Sequence, residues 1–498
     1  MTLSEAAETY RRALPPGRLM EFSLTGLDRV GVPVQSLTFL PEMTADNAMV
    51  WQLCEGIGYG ETEDAARVGA FGELTEEVSS SAGLARMERF TGSYHGMLAR
   101  HGERGVVDPV SLCLEAGSPY TPDTTLEWVI TRRLSTGEPV LVPSEFVACS
   151  GMDAPPREGI TRLVTPVTNG HGAGTDPTMA QAHGLLELLQ RDGNSVQYRA
   201  LARPTAIDLD TITDPASREL LDRYDRAGIE MTVKVAATDF GFTNLYAVGY
   251  DRDPAAGGLP VMAAACGEAV GPVPAVALRK ALLEFASSRA RLALFHGPLE
   301  RVRAVVPAGY LEAYARILNA ADEEPRGLAG MRRWLEYSWD DMRRTLAPVF
   351  AAEERTSFAA LPVPANAGEL ADKAALLRHT VARLEEAGLD VLVADLSPPG
   401  GGVCAVKMIV PGLEVETMSY HRLGERNVAR LLGRQPVLAG LGDPPAGASR
   451  VPLTAAARSR LGGEAWLDGP ALDDLMRDLY VLYREPSRHV TRLAMGER

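Results

Sequence analysis

Several features that would identify a common class of protein are missing from this sequence. The five cysteines form no CxxC pair, which excludes a zinc finger and is typical of a protein in a reducing cytoplasm. No apolar run approaches the roughly 20 residues needed to cross a bilayer, and acidic groups near the start argue against a signal peptide. The formal net charge of −15 argues against a nucleic-acid surface, because phosphate binding requires clustered Lys and Arg.

The motifs of several well-known enzyme classes are missing as well. There is no GxSxG nucleophile elbow, no HExxH zinc site, and no Gly-rich loop that ends in the GK[ST] of a P-loop. A covalent enzyme with its own nucleophile is therefore disfavoured. The composition, 46% hydrophobic and 23% charged, is that of an ordinary globular protein, and 498 residues exceed one typical domain.

Four segments have the apolar period of an amphipathic helix. The first covers 62–81, and the second, 176–194, opens on an Asp-Pro pair that is a strong start signal. The third begins near Pro274. The fourth ends at Gly388, which suits a left-handed C-terminal cap.

Two of the segments that lie further along the chain resemble each other. Residues 217–239 and 373–397 each read as a helix, an Ala-Gly turn and an apolar strand, and a further strand follows each copy. The repeat predicts an α/β fold with mixed sheets and internal pseudo-symmetry, although such units also recur by chance.

Charged and amide side chains share one face on each of the first three helices. Carboxylates at a spacing of three or four weaken a helix unless a cation offsets them, and Mg²⁺ is the cation that carboxylate oxygens and phosphates prefer. Spacing alone favours the simpler interpretation of solvated surface faces. These faces consist of Glu73, Glu76 and Glu77 on the first helix, His183, Glu187, Gln190 and Arg191 on the second, and Lys280, Glu284 and Ser287 on the third. Arg289 lies next to the polar stripe of the third helix.

Glycine-rich segments precede two of these helices. Gly56, Gly58 and Gly60 come before the first, and NGHGAGTDP comes before the second. Glycine turns at a helix start let a phosphate approach backbone N–H groups, but alone both segments are interpreted as ordinary loops.

Four segments of the chain resemble the motifs of the YcaO family of ATP-dependent peptide-modifying enzymes, and they occur in the same order as in that family. They span most of the chain, roughly from Cys54 to Leu432. The segments are GIGYGETEDAARVGAFGELTEE, TNGHGAGTDPTMAQAHGLLELLQRD, CGEAVGPVPAVALRKALLEFASSR and VLVADLSPPGGGVCAVKMIVPGLE.

The resemblance implies a YcaO-like fold whose helices line a site for ATP and Mg²⁺. It also implies the reaction: a nucleophile adds to a backbone amide, ATP phosphorylates the oxyanion, and phosphate leaves to give an azoline, thioamide or amidine. The expected partners are a precursor peptide as substrate and a ThiF-like or TfuA-like protein, without nucleic acid or membrane, and a homodimer is left open.

The family's site residues carry over motif by motif. Glu73, Glu76 and Glu187 are implied as Mg²⁺ ligands, while no catalytic residue is assigned because the substrate supplies the nucleophile. The further residues implied at the ATP site are Asn169, Gln190, Arg191, Lys280, Glu284 and Arg289. The departures from the family pattern are Ile57, Glu77, Gln190, Lys280 and Ser287.

These departures keep a second hypothesis open, a degenerate family member that binds a peptide or partner enzyme without chemistry. A third and less favoured hypothesis is a nucleotide ligase of unrelated type. The chain also ends without the Pro-x-Pro-x-Pro tail of many azoline-forming members, which disfavours a conventional cyclodehydratase. We expect an N-terminal segment at 1–50, a catalytic domain at 51–435 and a C-terminal appendage at 436–498.

Overall fold

The computed structural model describes residues 1–42, 53–150, 153, 155, 157–195, 205–253, 256–415 and 421–497. Its helices are α1 (Leu3–Ala13), α2 (Glu63–Arg86), α3 (Tyr94–His101), α4 (Pro177–Asn194), α5 (Pro215–Arg226), α6 (Pro274–His296), α7 (Leu299–Arg303), α8 (Tyr310–Ile317), α9 (Pro325–Glu336), α10 (Trp339–Thr345), α11 (Ala347–Phe350), α12 (Lys373–Glu386), α13 (Glu425–Leu431), α14 (Ala455–Leu461), α15 (Gly469–Met476) and α16 (Val490–Ala494). Its strands are β1 (Gly17–Ser23), β2 (Val34–Pro41), β3 (Cys54–Tyr59), β4 (Arg89–Gly92), β5 (Leu126–Arg133), β6 (Pro139–Pro143), β7 (His171–Gly174), β8 (Ala206–Asp208), β9 (Ile229–Ala237), β10 (Thr243–Asp251), β11 (Cys266–Gly271), β12 (Arg355–Ser357), β13 (Leu392–Asp395), β14 (Cys404–Ile409), β15 (Ala439–Leu441), β16 (Ser449–Arg450) and β17 (Ala465–Leu467).

The four helices predicted from apolar period and cap residues are all present. Thr62 caps α2 by accepting the Ala65 N–H at 3.2 Å, and Asp176 caps α4 by accepting the Met179 N–H at 3.0 Å. Helix α2 extends five residues beyond the predicted end. Gly388 has a φ of +77°, the left-handed conformation expected after the fourth helix.

The fold repeats one unit three times: a helix, three antiparallel strands and a longer helix. The first unit is α1, β1-β2-β3 and α2, and the second is α5, β9-β10-β11 and α6. In the third, α12 and the strand pair β13-β14 come from the C-terminal half, and β14 pairs with β7, which leads into α4. Both copies of the sequence repeat form helix, strand and strand, and the predicted α/β class with mixed sheets is confirmed.

In each unit the last strand lies directly on the helix that follows it. The glycine-rich segments interpreted as loops therefore form most of β3 and all of β7, so that interpretation was wrong. At the glycine positions that face the helix, a side chain would collide with the helix backbone. A Cβ would lie 2.0 Å from the Ala66 oxygen at Gly58, 2.1 Å from the Ala180 oxygen at Gly172 and 1.9 Å from the Ala281 oxygen at Gly267.

We expect Gly267→Ala to lower the free energy of unfolding by about 3 kcal/mol, because α6 would have to move away from β11. Urea denaturation measures the change. The matched control is Gly72→Ala inside α2, where a Cβ meets nothing within 4 Å and alanine should stabilise by ~0.5–1 kcal/mol. Equal stability of the Gly267→Ala variant and the wild type would refute this packing.

The C-terminal residues pack as part of the main body. Leu438, Val451 and Met476 belong to the same buried cluster as Leu245 of β10 and Leu278 of α6. The division at residue 436 stays a prediction, but it does not separate two cores. Within the described ranges, no helix combines the length and apolar character required to cross a membrane.

Candidate functional site

Helices α2, α4 and α6 form a closed ring of contacts, because each reaches the last strand of another unit. Helix α2 binds β7, α4 binds β11, and α6 binds β3. The contacts are Glu76 with the Ala173 N–H at 2.9 Å, Arg191 with Glu268 at 3.2 Å, and Glu284 with the Tyr59 hydroxyl at 2.6 Å. The three polar stripes predicted from helical spacing thus face one common centre.

Glu73 is held at this centre by the backbone of β3. Its Oε2 accepts the Ile57 N–H at 2.5 Å, and burial among the surrounding protein raises its pKa to about 7. The replacement of the family's Lys by Ile57 does not affect this contact, since the backbone makes it.

The other carboxylates of the ring have raised pKa values as well. Burial raises the pKa of Glu76 well above its usual range, and the charges of Glu187 and Glu73 raise it further. Burial also raises the pKa of Glu187, and that of Glu284 to about 6. The positive charge around these carboxylates is therefore too small for all of them to be ionised at once. A bound cation would supply the missing positive charge.

The residues present fit Mg²⁺ held jointly with a nucleotide. In the part of the chain that the structure describes, no three His, Cys, Asp or Glu side chains stand ready to hold a metal ion alone. Mg²⁺ rarely needs such a cage, because it keeps waters and binds one or two carboxylates together with substrate phosphates.

Two cations lie among these carboxylates. Arg191 bridges Glu187 at 3.5 Å and Glu268 at 3.2 Å. Lys280 is close enough that its charge opposes the effect of burial on the pKa of Glu76, Glu187 and Glu284. Arginine and lysine are the side chains that most often bind phosphate oxygens in proteins.

Glu268 was missed in the sequence analysis. It is 3% exposed and accepts a hydrogen bond from Gln190 at 3.4 Å, so it places a carboxylate beside the position where the family has a second glutamate. The position of Glu268 in the sequence could have indicated its role. It lies in β11, which precedes the third helix in the same way that the Gly-rich strands precede the helices of the other two units. Glu77 instead accepts the Glu55 N–H at 2.5 Å.

Two charged residues of α4 and α6, Asp192 and Arg289, have structural partners outside the ring. Arg289 is fully buried and binds Asp28 at 2.8 Å and Asp251 at 3.0 Å, so its guanidinium is enclosed and does not reach the ring. Asp192 ties α4 to α13 through Arg426 and Arg430, at 2.8 and 2.9 Å.

A buried Cys–His contact lies beside β7. The Cys149 Sγ is 2.9 Å from the His171 Nδ1. Burial raises the pKa of Cys149 to about 12 and lowers that of His171 well below its usual value, so both groups are neutral. A thiol in this state is a poor nucleophile, which assigns the contact to packing.

The raised pKa of Glu73 predicts a pH dependence of nucleotide binding. Below about pH 7 the carboxyl holds a proton that Mg²⁺ must displace, so affinity for Mg-ATP should weaken about tenfold per pH unit as pH falls. Calorimetry from about pH 8 to about pH 6 measures this. Glu73→Ala serves as the reference, because any pH dependence that comes from protonation of ATP itself affects both proteins equally. Identical slopes of affinity against pH for the variant and the wild type would contradict the prediction.

Comparisons with known proteins agree on one family. The family model described as "YcaO cyclodehydratase, ATP-ad Mg2+-binding" matches residues 57–414. An uncharacterized protein of Methanothermobacter thermautotrophicus is 28% identical over 81% of this chain and 91% of its own length. An uncharacterized protein in the tfuA 3′ region of Rhizobium leguminosarum bv. trifolii is 26% identical over 83% of this chain and 87% of its own.

Two solved structures share the fold. YcaO from Methanopyrus kandleri bound with AMPPCP and Mg²⁺ matches with a TM-score of 0.56 and 20% identity, over 85% of this chain and 94% of the other. A heterocyclase in complex with substrate and cofactor matches with a TM-score of 0.61 and 16% identity, over 84% of this chain. This chain spans about half of that heterocyclase, 53%.

Proposed function

This chain belongs to the YcaO family, and we propose that it uses Mg-ATP to phosphorylate the oxygen of a backbone amide in a ribosomally made peptide. The observation that carries the proposal is the ring in which Glu73, Glu76, Glu187 and Glu284 converge with raised pKa values beside Arg191 and Lys280. Such a site suits a divalent cation and a polyphosphate better than any other ligand pair.

The proposed reaction has three steps. A nucleophile of the peptide, or an external sulfide or amine, forms a bond to the amide carbon and gives an oxyanion. The oxyanion attacks the γ-phosphorus and ADP leaves. Cleavage of the original amide C–O bond then releases phosphate together with that oxygen and leaves an azoline, thioamide or amidine, because a phosphate is a far better leaving group than an amide oxygen.

The chain's own residues position and stabilise this transfer. Glu73, Glu76 and Glu187 would hold Mg²⁺, which neutralises phosphate charge when bound. Arg191 and Lys280 would meet phosphate oxygens that the metal leaves free, and Arg191 stays oriented between Glu187 and Glu268. Asn169 and Gln190 complete the proposed site, whereas the burial of Arg289 argues against including it.

The proposed partners are a precursor peptide and a TfuA-like protein. The relative in the tfuA 3′ region supports the second of these.

Phosphate release in the presence of short peptides encoded near the gene tests the proposal. We expect release that requires both Mg²⁺ and peptide, and a peptide whose mass shows loss of water or exchange of oxygen for sulfur or nitrogen. Peptides of unchanged mass, with hydrolysis indifferent to peptide, would refute it. The alternative of a non-catalytic scaffold is motivated by Gln190, and it predicts peptide binding without any Mg-ATP binding.

A further inference from the structure

A cavity opens beside the ring of helices, between α4, β14 and the segment before β7. It encloses about 530 Å³, counted with the part open to solvent. Its walls are mainly apolar and include Phe146, Val164, Val167, Leu188, Met408 and Leu413. The cavity therefore offers an apolar surface next to a site that is otherwise dominated by charge.

Three residues connect this cavity to the proposed Mg-ATP site, and one of them, Asn169, belongs to both. Leu188 lines the cavity and follows Glu187 directly on α4. Lys407 also lines the cavity, and its charge opposes the effect of burial on the pKa of Glu187. Lys407 thus places the cavity near a proposed metal ligand.

Four ionisable groups in the lining are already bound to the backbone. Each of them already has a hydrogen-bond partner, so the ligand is recognised mainly by apolar contact. Glu145 accepts the Leu163 and Val164 N–H groups at 3.0 and 3.2 Å, Arg422 donates to the Leu112 and Cys113 oxygens at 3.0 and 2.7 Å, Lys407 donates to the Val167 oxygen at 2.6 Å, and Glu414 accepts the Gly424 and Asn427 N–H groups, both at 2.8 Å.

We infer that this cavity binds an apolar side chain of the peptide substrate, from a residue adjacent to the amide that is modified. The inference rests on the proposed function and adds a substrate preference to it. The adenine base is a poorer occupant, since most of the lining is apolar and its four ionisable groups are already hydrogen-bonded to the backbone. A large apolar neighbour such as Phe or Leu would fill the cavity and fix the reacting amide near the metal ligands.

Binding of short probes tests this preference without knowledge of the natural substrate. The probes are N-acetyl dipeptide amides with Cys in the second position and Phe, Leu, Ser or Asp in the first. Their dissociation constants are measured by NMR titration, with and without Mg-AMPPCP. We expect the Phe and Leu probes to bind at least about tenfold more tightly than the Ser and Asp probes.

A substitution that fills the cavity tests whether the preference for apolar probes depends on it. Val167 is half-buried in the lining, and Val167→Trp should weaken the Phe probe at least about tenfold while Mg-AMPPCP affinity stays unchanged. The matched control is Val363→Trp, at an exposed valine outside the cavity, which should change neither constant.

Each result decides the inference. Equal binding of all four probes, no binding of any, or loss of Mg-AMPPCP affinity in Val167→Trp with probe binding intact would overturn it. Failure of the wild type to bind Mg-AMPPCP would count against the proposed function instead, and the probe titrations without nucleotide would still test the cavity.

Discussion

Replacing Glu187 by alanine is expected to lower the rate of ATP hydrolysis at least ~100-fold, because the variant loses a charge that offsets Mg²⁺ and orients Arg191. The Glu187 carboxylate lies 3.5 Å from Arg191, and burial raises its pKa. Steady-state phosphate release over a range of Mg²⁺ concentrations measures the effect, and the variant should need more Mg²⁺ for half-maximal rate.

This variant should fold as well as the wild type. The neighbouring carboxylates repel one another when they are ionised. Removing one of them relieves an electrostatic repulsion that is needed for function and not for folding. The matched control is Glu63→Ala, at an exposed position in the first turn of α2, which should leave both rate and Mg²⁺ dependence unchanged. Unaltered hydrolysis by the Glu187→Ala variant would remove Glu187 from the site.

Replacing Arg289 by methionine is expected to destabilise the protein by ~3–5 kcal/mol, because Asp28 would lose its buried cation and Asp251 would keep only Arg29. The guanidinium is 0% exposed, and so is the side chain of Asp251. Urea denaturation gives the free energy of unfolding. Adding Asp28→Asn and Asp251→Asn to the variant should recover part of the loss.

The same helix supplies a control for this second prediction. Arg279 is 32% exposed and its nearest carboxylate oxygens lie at 3.6 and 3.9 Å, so Arg279→Met should cost less than ~1 kcal/mol. The family resemblance implies instead that Arg289 binds nucleotide. A stable Arg289→Met variant that has lost Mg-ATP affinity would favour that role over the structural one.

Local signals predicted the helices well and the strands beside them poorly. Helix starts follow from cap residues such as Thr62 and Asp176, whose effect lies within one turn. The glycines of β3 and β7 were interpreted as loop residues because they precede helix starts and match no nucleotide-binding motif. Their actual cause, a helix lying directly on the strand, depends on packing that the sequence does not reveal.

The same limit applies to the candidate site. Helical spacing grouped Glu73 with Glu76, but the ring depends on strands of other units, such as β11 with Glu268. The structural role of Arg289 was likewise hidden, because its partner Asp28 lies 261 positions away in sequence. Of the three-fold repeat, two copies were recognised in the sequence, whereas α1-β1-β2 has too little resemblance to them.

The central claim is that α2, α4 and α6 together bind Mg-ATP. Calorimetric titration of the wild type with Mg-AMPPCP tests it most directly, beside Glu73→Ala, Glu187→Ala and the Glu63→Ala control. We expect micromolar binding that the first two substitutions weaken strongly and the third leaves intact. Absence of binding, or equal binding by all four proteins, would contradict it.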